Sequence, residues 1–194
     1  MTTRELAAVE RSAAQPTIKT SAILIVACVA LMTVCSWIRV PGPIPVTMQT
    51  FAVFFTVSLL GTRRGAIAVA SWLAIGLAGA PVFAGMIGGL PYLLGPTGGY
   101  IIGFIGTAFV TGAIIDRLGS KIPAMILAMV AGLAVCYAFG TAWFMVISAG
   151  SVTLQGALAM CIVPFIVPDL IKIALAIVLF KLFGERVRSY AAKH

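Results

Sequence analysis

Long apolar runs separated by short polar or glycine- and proline-rich breaks dominate this chain. Six runs stand out, at about 20–39, 47–61, 65–80, 97–115, 122–140 and 163–183. A helix needs about 17–25 residues to cross the hydrocarbon core of a bilayer, and these runs approach or meet that length. The pattern therefore predicts an all-α integral membrane protein, a compact bundle of six transmembrane helices. Residues 1–19 are polar and form a separate lead segment. Residues 20–184 make up the membrane domain, and 185–194 a basic tail. No A-x-A-like cleavage site follows the first run, which is expected to be a retained helix and not a signal peptide.

The breaks are of two kinds. Those after the second, fourth and sixth runs are short and basic: Arg63 and Arg64, Arg117 and Lys121, then Lys181, Arg186, Arg188 and Lys193. Arg4, Arg11 and Lys19 precede the first run. With six spans all four clusters fall on one side, and the opposite loops carry only Arg39. Positive charge concentrates in cytoplasmic loops, which places both termini in the cytoplasm and the chain, multi-pass, in the cell membrane. The breaks on the other side are uncharged apart from Arg39 and rich in Gly and Pro: "RVPGPIPVTMQT", "GAPVFAGMIGGLPYLLGPTGGY" and "GTAWFMVISAGSVTLQGALAM". Loops of this length in a compact protein often bind or cover ligands. Pro41, Pro43 and Pro45 bias the first towards extended backbone.

Composition agrees. Of 194 residues, 61% are hydrophobic and 9% charged, against about 25% charged in soluble domains. The net charge of +8 does not signal nucleic-acid binding, because the basic residues lie between apolar runs and form no soluble basic face. Membrane lipid is the expected surrounding. The four cysteines form no C-x-x-C pair, and the one histidine is His194. No metal site is expected, and the cysteines are read as small apolar helix residues. No G-x-x-x-x-G-K-[ST] sequence occurs, so no ATP site of that type is present. No cofactor is implied.

The chemistry concentrates at the outer end. Asp169 and Lys172 lie inside the sixth run, at a spacing that puts them on one helix face. Ionisable groups at membrane depth are costly and mark functional sites by default; the alternative is an internal salt bridge that plugs the bundle. Pro168 provides no N–H for the carbonyl of Pro164. Gln49, flanked by Thr47 and Thr50, opens the second run with an amide that both donates and accepts; the plainer reading is a cap or interface residue. Phe83, Tyr92, Tyr100, Trp72 and Trp143 lie near the outer side, where aromatics commonly form an interfacial belt. Phe83, Tyr92 and Tyr100 also belong to the glycine-rich stretch, as do Gly88, Gly89 and Thr97, and all six are candidate ligand walls. Together these residues predict an outward-facing pocket for a small, mostly apolar molecule with a few polar handles. Ala66, Ala70, Ala74 and Ala78 form a stripe of small residues suited to packing within the bundle or against a membrane partner.

The segments "PIPVTMQT", "GAPVFAG", "GGLPYLLGPTGGY" and "PFIVPDLIK" occur in an order and spacing that resemble the BioY family, the biotin-binding S components of energy-coupling-factor transporters. The resemblance covers about residues 20–185. It implies a six-helix protein that captures biotin from the external side, with a transmembrane coupling protein and two cytoplasmic ATPase subunits as partners. It carries substrate binding onto Asp169, Lys172, Gln49, Tyr100, Phe83, Tyr92, Gly88, Gly89 and Thr97, with no catalytic residue. Three positions depart from the family pattern. Val167-Pro168 stand where Pro-Gly is usual, Met86-Ile87 interrupt a glycine-rich stretch, and the first helix has Val26 and Ala30 in place of an A-x-x-x-A contact. Two other classes remain open on the residues: a membrane-embedded enzyme using Asp169 and Lys172 as base and acid, and a stand-alone small-molecule carrier.

The topology is testable directly. Reporter fusions after residues 62, 119 and 194 should read cytoplasmic, and fusions after 90 and 150 external. A C-terminal fusion on the external side would refute the six-span arrangement.

Overall fold

The computed structural model describes residues 17–42 and 44–191. Most of the lead segment, Pro43 and the last three residues of the basic tail lie outside the described residues. Helix α1 (Ile18–Trp37) opens at Thr17, whose hydroxyl accepts from the Thr20 N–H. A two-residue ribbon follows, β1 (Arg39–Val40) against β2 (Val46–Thr47), pairing Arg39 with Thr47 and Val40 with Val46. Pro41 and Pro45 thus lie in the connection between the two strands of this small ribbon. Next come α2 (Gln49–Leu77), the short α3 (Leu90–Leu93), α4 (Gly98–Leu118), α5 (Ile122–Ile147), α6 (Leu154–Cys161) and α7 (Val163–Leu179). A π-helical turn (Phe180–Gly184) leads into α8 (Glu185–Ala191).

Helix α2 contains two passes. Gly61 breaks it, with φ 76° and ψ −178°, a conformation that L side chains rarely adopt. A Cβ added at Gly65 would begin 3.1 Å from the Cα of Val57. Residues eight apart in a continuous helix are separated by about 12 Å, so the chain has folded back on itself. The second and third expected spans are therefore the two limbs of a tight helical hairpin. Among the described residues five helices are long and apolar enough to cross a membrane, and the fold-back of α2 makes six passes.

This hairpin is the centre of the bundle. Two thirds of its most apolar window is buried, against 22% for α1, whose remaining surface faces outward. Phe54, Val57, Val69 and Trp72 are almost fully enclosed. On the other side α4 and α5 approach closely because glycines line their contact. A Cβ at Gly99 or Gly103 would strike Trp143 or Phe139, and one at Gly132 or Gly140 would strike Thr111 or Tyr100. Such small-residue contacts let membrane helices pack by van der Waals contact and polar bonds. Here the Thr107 and Thr111 hydroxyls donate to the carbonyls of Gly132 and Ala128 at 2.9 and 3.2 Å.

Three expectations need correction. The alanine stripe does not pack the bundle's own core: Ala66 is buried, but Ala70, Ala74 and Ala78 are exposed. The small residues that do pack are the glycines of α4 and α5. The third outer break is largely helical, because α5 continues to Ile147 and α6 forms after a turn at 148–153. Trp72 is no belt residue; it is 1% exposed and lies edge-on to Phe83 at 5.1 Å. Asp116 lies within the last turn of α4.

A carboxylate near a helix C-terminus opposes the helix dipole, and Asp116 is compensated from outside. Its Oδ2 accepts from the Thr62 N–H at 3.1 Å and the Thr62 hydroxyl at 2.6 Å, capping the second limb of α2 from a neighbouring helix. Arg188 of α8 lies 3.9 Å from its Oδ1. Three of the basic breaks thus meet at one end of the bundle, opposite the ribbon. Asp116→Ala should destabilise by about 1 kcal/mol, as expected for losing a cap. Arg188→Ala should cost less, because the pair is long and exposed. Thermal unfolding midpoints in detergent should fall in that order; an equal or reversed order would refute the cap.

Candidate functional site

The opposite end holds a cavity between the start of α2, α4, α5 and α7. Its walls are mostly apolar and aromatic: Ile44, Pro45, Tyr92, Tyr100, Ile101, Phe104, Cys136 and Phe165, with Tyr137 beside them. Its polar atoms come from Thr47, Gln49, Thr50, Thr97, Asp169 and Lys172. The empty space, including its open mouth, is about 480 Å³.

Helix α7 carries the charged pair inward. The helix starts at Val163 with Pro164 in its first turn, where a missing N–H costs nothing. Pro168 sits one turn further on and removes one internal bond. Asp169 follows about 9 Å into the helix at 1.5 Å per residue. Asp169 and Lys172 are 2% and 5% exposed, and Lys172 Nζ lies 2.8 Å from Asp169 Oδ1.

The pair is not isolated. The Thr50 hydroxyl, from the first turn of α2, donates to Asp169 Oδ1 at 2.9 Å. The Tyr137 hydroxyl, from the middle of α5, donates to Oδ2 at 2.7 Å. A carboxylate has about four lone-pair positions. Lys172, Thr50 and Tyr137 fill three, so Oδ2 keeps capacity for one more donor. Burying the charges costs several kcal/mol per ion, and the pair offsets that only because hydrogen bonds satisfy the remaining groups.

A second polar group faces the same space. Thr47 donates from its hydroxyl to Gln49 Oε1 at 2.8 Å, fixing the amide so that Nε2 is the free end. Gln49 Nε2 is buried and without a hydrogen-bond partner among the described residues. An amide N–H in that position favours an acceptor from a ligand. The floor is set by Tyr100, whose hydroxyl donates to the carbonyl of Cys161, at the end of α6, at 2.7 Å.

Of the residues singled out in the sequence, Asp169, Lys172, Gln49, Tyr92, Tyr100 and Thr97 meet at this cavity. Phe83, Gly88 and Gly89 do not line it. Phe83 is fully buried, between Trp72 and Tyr92, and supports the wall from behind. Gly89 donates its N–H to the Gly76 carbonyl at 2.7 Å, and a Cβ at Gly88 would overlap the Ala80 carbonyl. Both glycines are there for close loop packing. Sequence reasoning missed Tyr137, Phe104, Phe165 and Ile44. Tyr137 lies near the end of the 122–140 run and comes to the interior of a helix only because α5 continues to Ile147; the apolar residues had no signal, since every span is apolar.

The BioY family model matches residues 7–189. A biotin transporter BioY from Thermotoga maritima is 42% identical over 149 residues, covering 76% of this chain and 85% of its own. A probable biotin transporter BioY from Pyrococcus horikoshii is 38% identical over 152 residues, covering 78% and 88%. The crystal structure of an S-component for biotin from an ECF-type ABC transporter matches with a TM-score of 0.75 and 25% identity, across 95% of both chains. The relatives are named as transporters, not enzymes. Since the family model runs through all six passes and two relatives exceed a third identity over most of their length, this chain, a multi-pass integral membrane protein, belongs to the BioY family.

Proposed function

We propose that this protein captures biotin from the external side of the cell membrane, as the substrate-binding subunit of an ATP-driven vitamin transporter. The observation that carries the reading is the buried Asp169–Lys172 pair, which opens onto an aromatic-walled cavity with one carboxylate position and the Gln49 amide uncommitted. Biotin matches that inventory. Its ureido ring offers two N–H donors and a carbonyl acceptor, and its sulfur ring and aliphatic chain are apolar. Asp169 is suited to a ligand N–H, and Lys172 and Gln49 to ligand oxygens. The names of the relatives point to the same substrate. The residues that bind are Asp169, Lys172, Gln49, Tyr92, Tyr100 and Thr97, joined by Tyr137 and Thr50. The membrane domain, residues 20–184, acts as the capture unit. The lead segment and basic tail lie on the cytoplasmic side with the basic breaks.

Energy comes from elsewhere in this reading. The sequence has no P-loop, and the related structure is titled as one component of a larger transporter. The partners are a transmembrane coupling protein and two cytoplasmic ATPases. The purified chain should bind biotin and hydrolyse no ATP; ATP-stimulated uptake into liposomes by this chain alone would contradict the division of labour.

Binding to detergent-purified variants tests the site. Asp169→Asn keeps the shape but strips Lys172 of its counter-charge. Losing a charge-assisted hydrogen bond costs about 1.5–3 kcal/mol, so affinity should fall roughly tenfold to a hundredfold. Lys172→Ala should weaken binding comparably, and the double variant should lose less than the sum because the groups are coupled. Tyr137→Phe removes one neutral donor and should cost about threefold to tenfold. All four should elute as monodisperse species. Unchanged affinity in both Asp169→Asn and Lys172→Ala would make the pair purely structural.

A further inference from the structure

Among the described residues, the cavity end of the bundle carries one full charge besides the mutually neutralising Asp169–Lys172 pair, and that charge is Arg39. The other Lys and Arg residues among those described lie in the first turn of α1 or in the breaks and terminal segment of the basic end. Arg39 is exposed and opens β1, directly across from Thr47. Residues opposed in an antiparallel pair present their side chains on the same face. Thr47 lines the cavity, so the ribbon brings Arg39 to its rim.

The guanidinium lies over the loop that forms the adjoining wall. A Cβ added at Gly85 would begin 3.1 Å from Arg39 Nη1. The loop itself is held on both sides. Trp37 Nε1 donates to the Pro81 carbonyl at 2.8 Å, and Phe83 stacks on Tyr92 at 5.2 Å. Arg39 is therefore at the mouth and next to the wall, but does not line the cavity. None of the ion pairs among the described residues involves it.

A cation without a counter-ion at the rim of a neutral cavity attracts anions. Its field is strongest for a ligand that arrives with a negative charge still in water. We infer that Arg39 is a specificity-determining residue that steers a carboxylate-bearing ligand into the cavity. This rests on the proposed function, in which the ligand is biotin and carries a carboxylate. Arg39 acts on the rate of entry and not on the bound state, because the polar atoms inside belong to other residues. One charge pair separated by about 7 Å of water changes an encounter rate by about threefold, and salt screens it.

Stopped-flow binding of biotin, and of its neutral amide, to the full chain in nanodiscs of zwitterionic lipid tests this. At an ionic strength of about 0.02 M, Arg39→Gln should lower the association rate for biotin by about threefold and leave the dissociation rate unchanged. The difference should vanish near about 0.5 M salt, where the screening length falls to a few ångströms. Arg39→Lys, which keeps the charge without the guanidinium fork, should restore the rate. The neutral amide should enter the Arg39→Gln and unsubstituted proteins equally fast. An unchanged association rate for biotin in Arg39→Gln overturns the inference while leaving the proposed function intact. So does an equal slowing of the neutral amide, or failure of Arg39→Lys to restore the rate, since Arg39 would then act by shaping the loop. Failure of the unsubstituted chain to bind biotin overturns both.

Discussion

A single carboxylate, Asp169, ties the cavity end together. It accepts from Lys172 on its own helix, from Thr50 on α2 and from Tyr137 on α5. In a low-dielectric interior an unpaired ion is costly, so the carboxylate is most stable with all three donors in place. That arrangement fixes the approach of three helices to one another at the level of the cavity. It also makes the pocket polar at one spot and apolar elsewhere, because the polar atoms are consumed around the carboxylate. The same convergence leaves one acceptor position and the Gln49 amide for a ligand.

The rest of the bundle is arranged to hold this constellation steady. The α2 hairpin forms the centre, and its break at Gly61 lets both limbs pack side by side. Its first limb starts at the cavity with Gln49 and Thr50; its second carries Trp72 behind the aromatic wall. The glycine seam between α4 and α5 draws Tyr100 and Tyr137 onto adjoining walls of one space. The loop from 78 to 97 then closes the side through the stacking of Phe83 on Tyr92. Glycines bring the helices close at the α4–α5 seam and within the α2 hairpin, and the aromatic side chains of Tyr92, Tyr100, Phe104 and Phe165 line the space left between them.

The two ends of the molecule differ in how they use charge. At the basic end, cations are many and exposed, and one acid, Asp116, is used to cap and connect. At the cavity end the charges are few. Two are buried and cancel each other, and the third, Arg39, stands alone in water. Charge exposed to water is cheap and sets orientation in the membrane; charge buried among apolar walls is costly and is kept only where it is satisfied.

The sequence by itself determined the class of the fold, the number of passes and the end at which the chemistry gathers. Each of these follows from a property spread over many residues: the length of apolar runs, the placement of basic clusters and the rarity of charge inside a span. Asp169, Lys172 and Gln49 were legible because a polar group in an apolar run has few reasons to be there. What only the tertiary structure decided concerns pairs of residues distant in the chain. Thr50 and Asp169 are 119 positions apart, and Tyr137 and Asp169 are 32 apart, so no local pattern predicts their contact. Phe83 faces the core and not the cavity, and the exposed alanine stripe looks on paper like a packing seam, while the working seam is built of glycines. In a chain this apolar, hydrophobicity no longer separates inside from outside. Which face of each helix meets another is decided by shape, and shape exists only once the helices are assembled.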